Sequence, residues 1–245
     1  MGCSNPRIVS SIKPTLSSHS PSLQPNFRTQ ITILLSSSSQ NQNQKLPIST
    51  ATKQVSQTGA NCVKFKTQGG CKLSISRYPD FKYNAEGGTG SGTSTKFGDS
   101  ESNDEVSVNF DLETIYIPPM MSSTTRFLGL PLPPFLKIDI VPELFQGIIN
   151  QKSGKVDFEF KAKFWFSVGS FYKAPPLMVE TVLTSEESKG ALKSGRGERL
   201  NEDGKCRLVG VATVDPINDF LMDSFLGLPT ECLADLNAII SFSSS

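Results

Sequence analysis

The chain is 245 residues long and nearly neutral, with 24 basic side chains against 23 acidic ones and a single histidine, His19. Residues 1–79 contain nine bases and no acid, so the remainder is net −8, which argues against a general nucleic-acid binder. With no histidine after position 19, that remainder lacks Ser–His–Asp and Cys–His catalysis, histidine metal ligation and histidine proton shuttling.

The N-terminal stretch is basic and acid-free, with serines at Ser36–Ser39 and amides from Gln40 to Gln44. This is the composition of an organelle transit peptide. Arg7 and Arg28 are the two arginines of the first 60 residues, fewer than a mitochondrial presequence favours, so residues 1–60 are expected to be a disordered plastid transit peptide. A disordered tail without an address is the alternative. The start Met1-Gly2-Cys3 has Pro6 where N-myristoylation wants Ser or Thr. Ile31–Leu35 is too short an apolar run for a second, lumenal signal, and no segment approaches the ~20 apolar residues of a spanning helix. The expected location is the chloroplast stroma or a stroma-facing membrane surface. Residues 61–245 then form a single β-rich domain with room for a core. Its cysteines, Cys62, Cys71, Cys206 and Cys232, match no zinc or CxxC spacing. They read as small buried apolar residues, with a regulatory disulfide as the alternative.

Along that domain, a hairpin bends at Tyr78-Pro79. The stretch Glu86–Asp104 reads as a long polar loop. Its Gly87-Gly88-Thr89-Gly90-Ser91-Gly92 run lacks the end of a P-loop and the G-x-G-x-x-G spacing, so it is taken as flexible. Val106, Val108, Phe110, Leu112 and Tyr116 alternate along a strand over 106–117. Pro118, Pro119, Pro131, Pro133 and Pro134 punctuate a connector to Phe135 that also holds Met120, Met121, Phe127, Leu128, Leu130 and Leu132. Such proline density forbids both helix and central strand, so the connector either folds over the core or offers an apolar patch. Phe135–Val141 is expected as a strand and Glu143–Ile149 as a short helix.

Next, Val156, Phe158, Phe160, Ala162, Phe164, Phe166 and Val168 fall on one face, opposite Asp157, Glu159, Lys161, Lys163 and Ser167 with Trp165 among them. A period of two at that length marks a strand buried on one face. Asp157 and Glu159 have the spacing of a paired-carboxylate site but read more simply as part of a solvated charged face. After Tyr172 and Pro175-Pro176 come strands at Leu177–Leu183 and Cys206–Val214. They are separated by a charged loop, Ser185–Gly204, in which Arg196 and Arg199 are candidates for gripping an anion. A helix over Ile217–Leu226 and a last strand over Leu233–Phe242 end the chain.

The pentapeptide Phe127-Leu128-Gly129-Leu130-Pro131 recurs as Phe225-Leu226-Gly227-Leu228-Pro229. With Pro118 and Pro216 in the same relation, this predicts two similar halves, about 71–141 and 154–243. The fold expected is all-β: an antiparallel barrel, or a two-sheet sandwich, of about eight strands with short connector helices. Residues Gly129–Pro134 and Gly227–Glu231 resemble the turns of plastid-targeted proteins of plants and algae to which no function is assigned. That resemblance covers about 71–243 and implies no catalytic residues.

The function expected is non-catalytic binding of an apolar molecule (lipid, pigment or metabolite) or of a membrane surface. The candidate residues are Phe158, Phe160, Phe164, Trp165, Phe166, Met120, Met121, Phe127, Leu128 and Leu130. The alternatives are an assembly module for a plastid protein complex and an enzyme using carboxylate, Lys or Cys. No cofactor, metal, nucleic acid or transmembrane segment is expected.

Overall fold

The computed structural model of the protein describes residues 61–96 and 104–243, so the expected transit peptide lies outside the described residues. The first strand, β1 (Asn61–Thr67), is followed by the hairpin β2 (Cys71–Ile75) and β3 (Phe81–Tyr83), then β4 (Thr89–Lys96) and β5 (Glu105–Phe110). The proline-rich connector holds β6 (Thr125–Phe127) and β7 (Leu130–Pro131) and leads into the long pair β8 (Leu136–Asn150) and β9 (Lys155–Val168). Then come β10 (Tyr172–Lys173), β11 (Leu177–Thr184), β12 (Glu187–Lys189), β13 (Ser194–Arg196) and β14 (Lys205–Val214). Helix α1 (Phe220–Leu226) and β15 (Thr230–Ser243) complete the described chain.

Eight of these strands close a ring in chain order, β1-β4-β5-β8-β9-β11-β14-β15, with β15 pairing back onto β1 from Cys62↔Ser243 to Thr67↔Ala238. All the pairings are antiparallel, as expected for an all-β chain whose neighbours are joined by turns. Closure removes the open edges a flat sheet would expose. Of the other strands, β2, β3, β6 and β7 form a flap that grows from β15 through β2.

Three expectations are corrected. Glu143–Ile149 is strand, not helix: Phe145 and Ile149 point into the core two steps of the pleat apart, beside Phe160 and Val156 of β9. Pro142 marks a register shift in the ladder between Pro142 and Leu144, a place where a strand tolerates a residue without an N–H. The glycine-rich run is strand as well. β4 pairs with β1 and β5, and Gly90 and Gly92 lie opposite Phe65 and Val63 on the inward face. A Cβ on Gly92 would collide with the Asn109 carbonyl oxygen, so a bare backbone is what that close approach requires, whereas one on Gly90 would lie 3.3 Å from the Ile115 side chain, which need yield only slightly. The strand expected over 106–117 ends at Phe110. A 3-10 turn at Leu112–Thr114, capped by Asp111, carries the chain outward, and Tyr116 keeps one isolated bridge to Thr89.

The charged loop before β14 folds back as the hairpin β12–β13. Helix α1 is shorter than expected because Asn218, at φ 58, turns the chain before Asp219 caps the Met222 N–H at 3.0 Å. Among the described residues, no helix is long and apolar enough to cross a membrane.

The two FLGLP pentapeptides differ in local structure. The first makes the β6–β7 turn through Leu128 and Gly129, both at positive φ. The second ends α1 with Gly227 in the left-handed C-cap.

Candidate ligand cavity

The interior of the ring is packed at two levels. At one end Phe65, Phe110, Phe145 and Phe158, from four different ring strands, meet with centroids 4.4–6.4 Å apart, Phe110 stacked on Phe145 and the other pairs edge to face. These geometries add to the area the rings bury. Val63, Ile149, Val156, Leu208 and Ile240 surround them and are fully buried, so this end of the ring is closed.

Above that floor the interior is not filled. A cavity of about 410 Å³ remains, within the size range of small-molecule sites. Its existence follows from an unequal distribution of side-chain size. β8 and β9 contribute Ile138, Ile140, Phe160, Phe164 and Phe166, all from inward positions. β4, β14 and β15 contribute the small residues Gly90, Gly210, Ala212 and Ala234, together with Val214, Leu233 and Leu236. The small residues in these strands leave part of the interior open.

Among the described residues, no charged side chain lines this cavity. Four lining hydroxyls have partners within the protein, Thr67 donating to the Ala85 carbonyl. Tyr83 donates to the Pro118 carbonyl, Thr181 to the Val211 carbonyl at 2.7 Å, and Tyr78 to the Phe225 carbonyl at 2.6 Å. Burial pushes the Cys232 thiol up to about 11, which keeps it neutral and poorly nucleophilic. The wall therefore presents mainly hydrocarbon and ring faces to any occupant.

The flap and α1 roof the other end. Phe81 stacks on Phe127 at 4.9 Å, and Tyr78 sits between Phe127 at 6.1 Å and Phe225 at 5.4 Å. Both pentapeptides thus converge on one tyrosine, and Phe127, Phe225, Leu226 and Leu228 line the cavity. Arg77 fastens the helix to the flap by donating to the Ser224 carbonyl. On the side wall, β11 and β14 share one backbone pair, Thr184↔Val209. Beyond it, side chains replace the ladder: Thr181 serves the Val211 carbonyl, and the Ser188 hydroxyl accepts from the Val211 N–H at 3.0 Å.

The candidates named from sequence are distributed unevenly over this arrangement. Phe160, Phe164, Phe166, Met120 and Phe127 line the cavity. Phe158 belongs to the closed floor. Trp165 is on the outer face of β9, where the Lys173 ammonium lies 4.9 Å from its ring centroid. The Met121 carbonyl accepts from Thr124 and Thr125 in a turn outside the cavity, and Leu128 and Leu130 are exposed. Arg199 is engaged by Glu186 at 2.5 Å, while Arg196 sits on β13 and its carbonyl accepts from Arg207.

Asp157 and Glu159 line a shallow outer groove, not the cavity. Asp157 pairs with Lys155 at 2.9 Å and accepts from Thr184, and Glu159 accepts from Gln146. Cys206 is packed in the floor cluster with its thiol pushed up to about 12 by burial. The sequence reading missed the small residues of β4, β14 and β15 and the placement of Tyr78. A strand of Gly, Ser and Thr has no hydrophobic period, so β4 left no signal for the first of these.

No family model, no curated protein and no solved structure matches the chain.

Proposed function

We propose that the protein is a non-catalytic binder of an apolar molecule, held inside an up-and-down antiparallel barrel. One observation carries the reading: the roofed cavity of about 410 Å³ has a phenylalanine wall and no charged lining residue among the described ones. Burying apolar surface of an occupant there would be favourable at roughly 25 cal/mol per Å². A buried carboxylate or ammonium would find no partner in the wall and would meet a large desolvation cost. The occupant is therefore a lipid chain, pigment or other neutral hydrocarbon-rich metabolite.

The acid-free N-terminal segment supports a plastid address, in the stroma or on a stroma-facing membrane. The four-plus-four ring supports two related halves, since each FLGLP lies between the third and fourth ring strand of its half, β5 to β8 and β14 to β15. The two copies differ in conformation, and β1 precedes the half that the repeat itself delimits.

Native mass spectrometry of the full chain, followed by organic extraction, tests the binding. A reproducible added mass from a neutral apolar molecule is expected, and Phe164→Asp should remove it by placing a carboxylate in the wall. A clean unliganded mass, together with no uptake of a fluorescent hydrocarbon probe, would overturn the reading.

A further inference from the structure

A second feature of the roofed end is its exterior. Phe171 is 91% exposed, Phe220 88%, Leu128 and Leu130 70% each, and Phe135 68%. These residues come from distant parts of the chain but belong to connected loops. The Gly169 N–H donates to the Phe135 carbonyl at 2.8 Å, and the Phe171 N–H donates to the Val168 carbonyl at 3.1 Å. Tyr172 donates to Asp219 at 2.8 Å, which brings the start of α1, with Phe220, to the same edge. Leu128 and Leu130 lie at the end of the flap, whose Phe127 packs on Tyr78 beneath α1. Single exposed apolar residues are ordinary; several on linked loops around one end of a ring are a patch.

The flap's outer face adds charge to this patch. Lys72 of β2 is directly opposite Lys82 of β3, and Lys82 is directly opposite Arg126 of β6. All three are exposed, and among the described residues none has an ion-pair partner. The next residue in the row, Asp235 of β15, is directed toward Arg207 at 3.5 Å. Like charges directly opposite on adjacent strands are destabilising, so such a row weakens the flap unless a negative partner meets it. Arg126 is two residues from Leu128, so cationic and apolar groups share one tip.

We infer that this end of the molecule docks on an anionic lipid bilayer, with Leu128, Leu130, Phe171 and Phe220 entering the interface and the Lys72–Lys82–Arg126 row meeting the headgroups. A bilayer suits both components at once: apolar side chains enter the acyl boundary while basic residues hold the charged surface. Docking would set the cavity roof against the phase in which an apolar ligand is dissolved. The inference does not depend on the cavity being occupied.

Flotation of the full chain with vesicles tests it, comparing pure phosphatidylcholine with vesicles containing phosphatidylglycerol. Binding to the anionic vesicles, weakened by salt, is expected. Neutralising the row (Lys72→Gln, Lys82→Gln, Arg126→Gln) should weaken binding on the order of 100-fold, from the usual contribution of each basic residue at an anionic surface. Leu128→Ser with Phe220→Ser should abolish flotation. All these side chains are exposed, so both variants should keep the wild-type circular dichroism and any mass bound in the cavity. That separates failure of docking from failure of the ligand reading. No flotation, or flotation unaffected by the row variant, would overturn the inference and leave this face to a protein partner.

Discussion

At the scale of single residues, Glu231 shows how one carboxylate orders a loop. Its two oxygens accept from the backbone N–H groups of Ala191, Leu192 and Lys193 at 2.7–2.9 Å. Successive amides converging in this way form an anion-binding nest, here filled by a side chain of the same molecule. The three bonds hold the Glu231 carboxyl below its ordinary value of 4.5. A lowered folded-state value fixes the sign: the contribution is fully present above 4.5 and is lost as acidification carries the pH down through the folded value. Hydrogen exchange should find the amides of 191–193 protected at neutral pH and released in acid before the ring strands open. Glu231→Ala should release them at neutral pH. Unchanged protection in that variant would mean that the loop is held by the Lys193–Asp80 contact instead.

At the scale of elements, what could be read from the sequence follows from how each strand contributes to the ring. β9 was legible because Val156 to Phe166 alternate against charged residues, the signature of a strand with one wet face. β4 was not, because a strand of Gly, Ser and Thr offers no hydrophobic period, and its glycines read as breakers. Glu143–Ile149 read as a helix because the register shift at Pro142 interrupts the alternation of β8. Closure of β15 on β1 was beyond local pattern altogether, since it joins residues nearly a whole domain apart. The cavity was half legible. The phenylalanine wall was visible, whereas the small residues that make it a wall and not a plug carry no signal of their own. This gives Gly90 a specific role. Gly90→Val should keep the β4 pairings and the circular dichroism spectrum while branching into the cavity. Affinity for an apolar fluorescent probe should fall by about tenfold, as crowding a packed interior costs on the order of 1–3 kcal/mol. Equal affinity would place the probe somewhere other than the ring interior.

At the scale of the whole molecule, the two levels of the ring interior should respond differently to the same chemical change. Phe158 lies in the closed floor with rings or aliphatic groups on every side, whereas Phe164, three turns of the pleat further along the same strand face, borders the open cavity. Truncating a fully packed phenylalanine removes its transfer free energy and leaves a new void, so Phe158→Ala should cost about 3–5 kcal/mol. Phe164 already lacks neighbours on its cavity side and contributes fewer contacts, so Phe164→Ala should cost less than half as much in the unliganded protein. Denaturant unfolding of the two variants measures the difference directly, provided the slope with denaturant stays constant. When a ligand fills the cavity the ordering should narrow, because Phe164 gains the contacts it lacked and its truncation also weakens binding, which is linked to stability by mass action. Equal costs in protein stripped of ligand would mean that the cavity collapses in solution around the β9 wall. Unequal costs that converge on adding an apolar ligand are the response expected of a floor built for stability beneath a chamber built for occupancy.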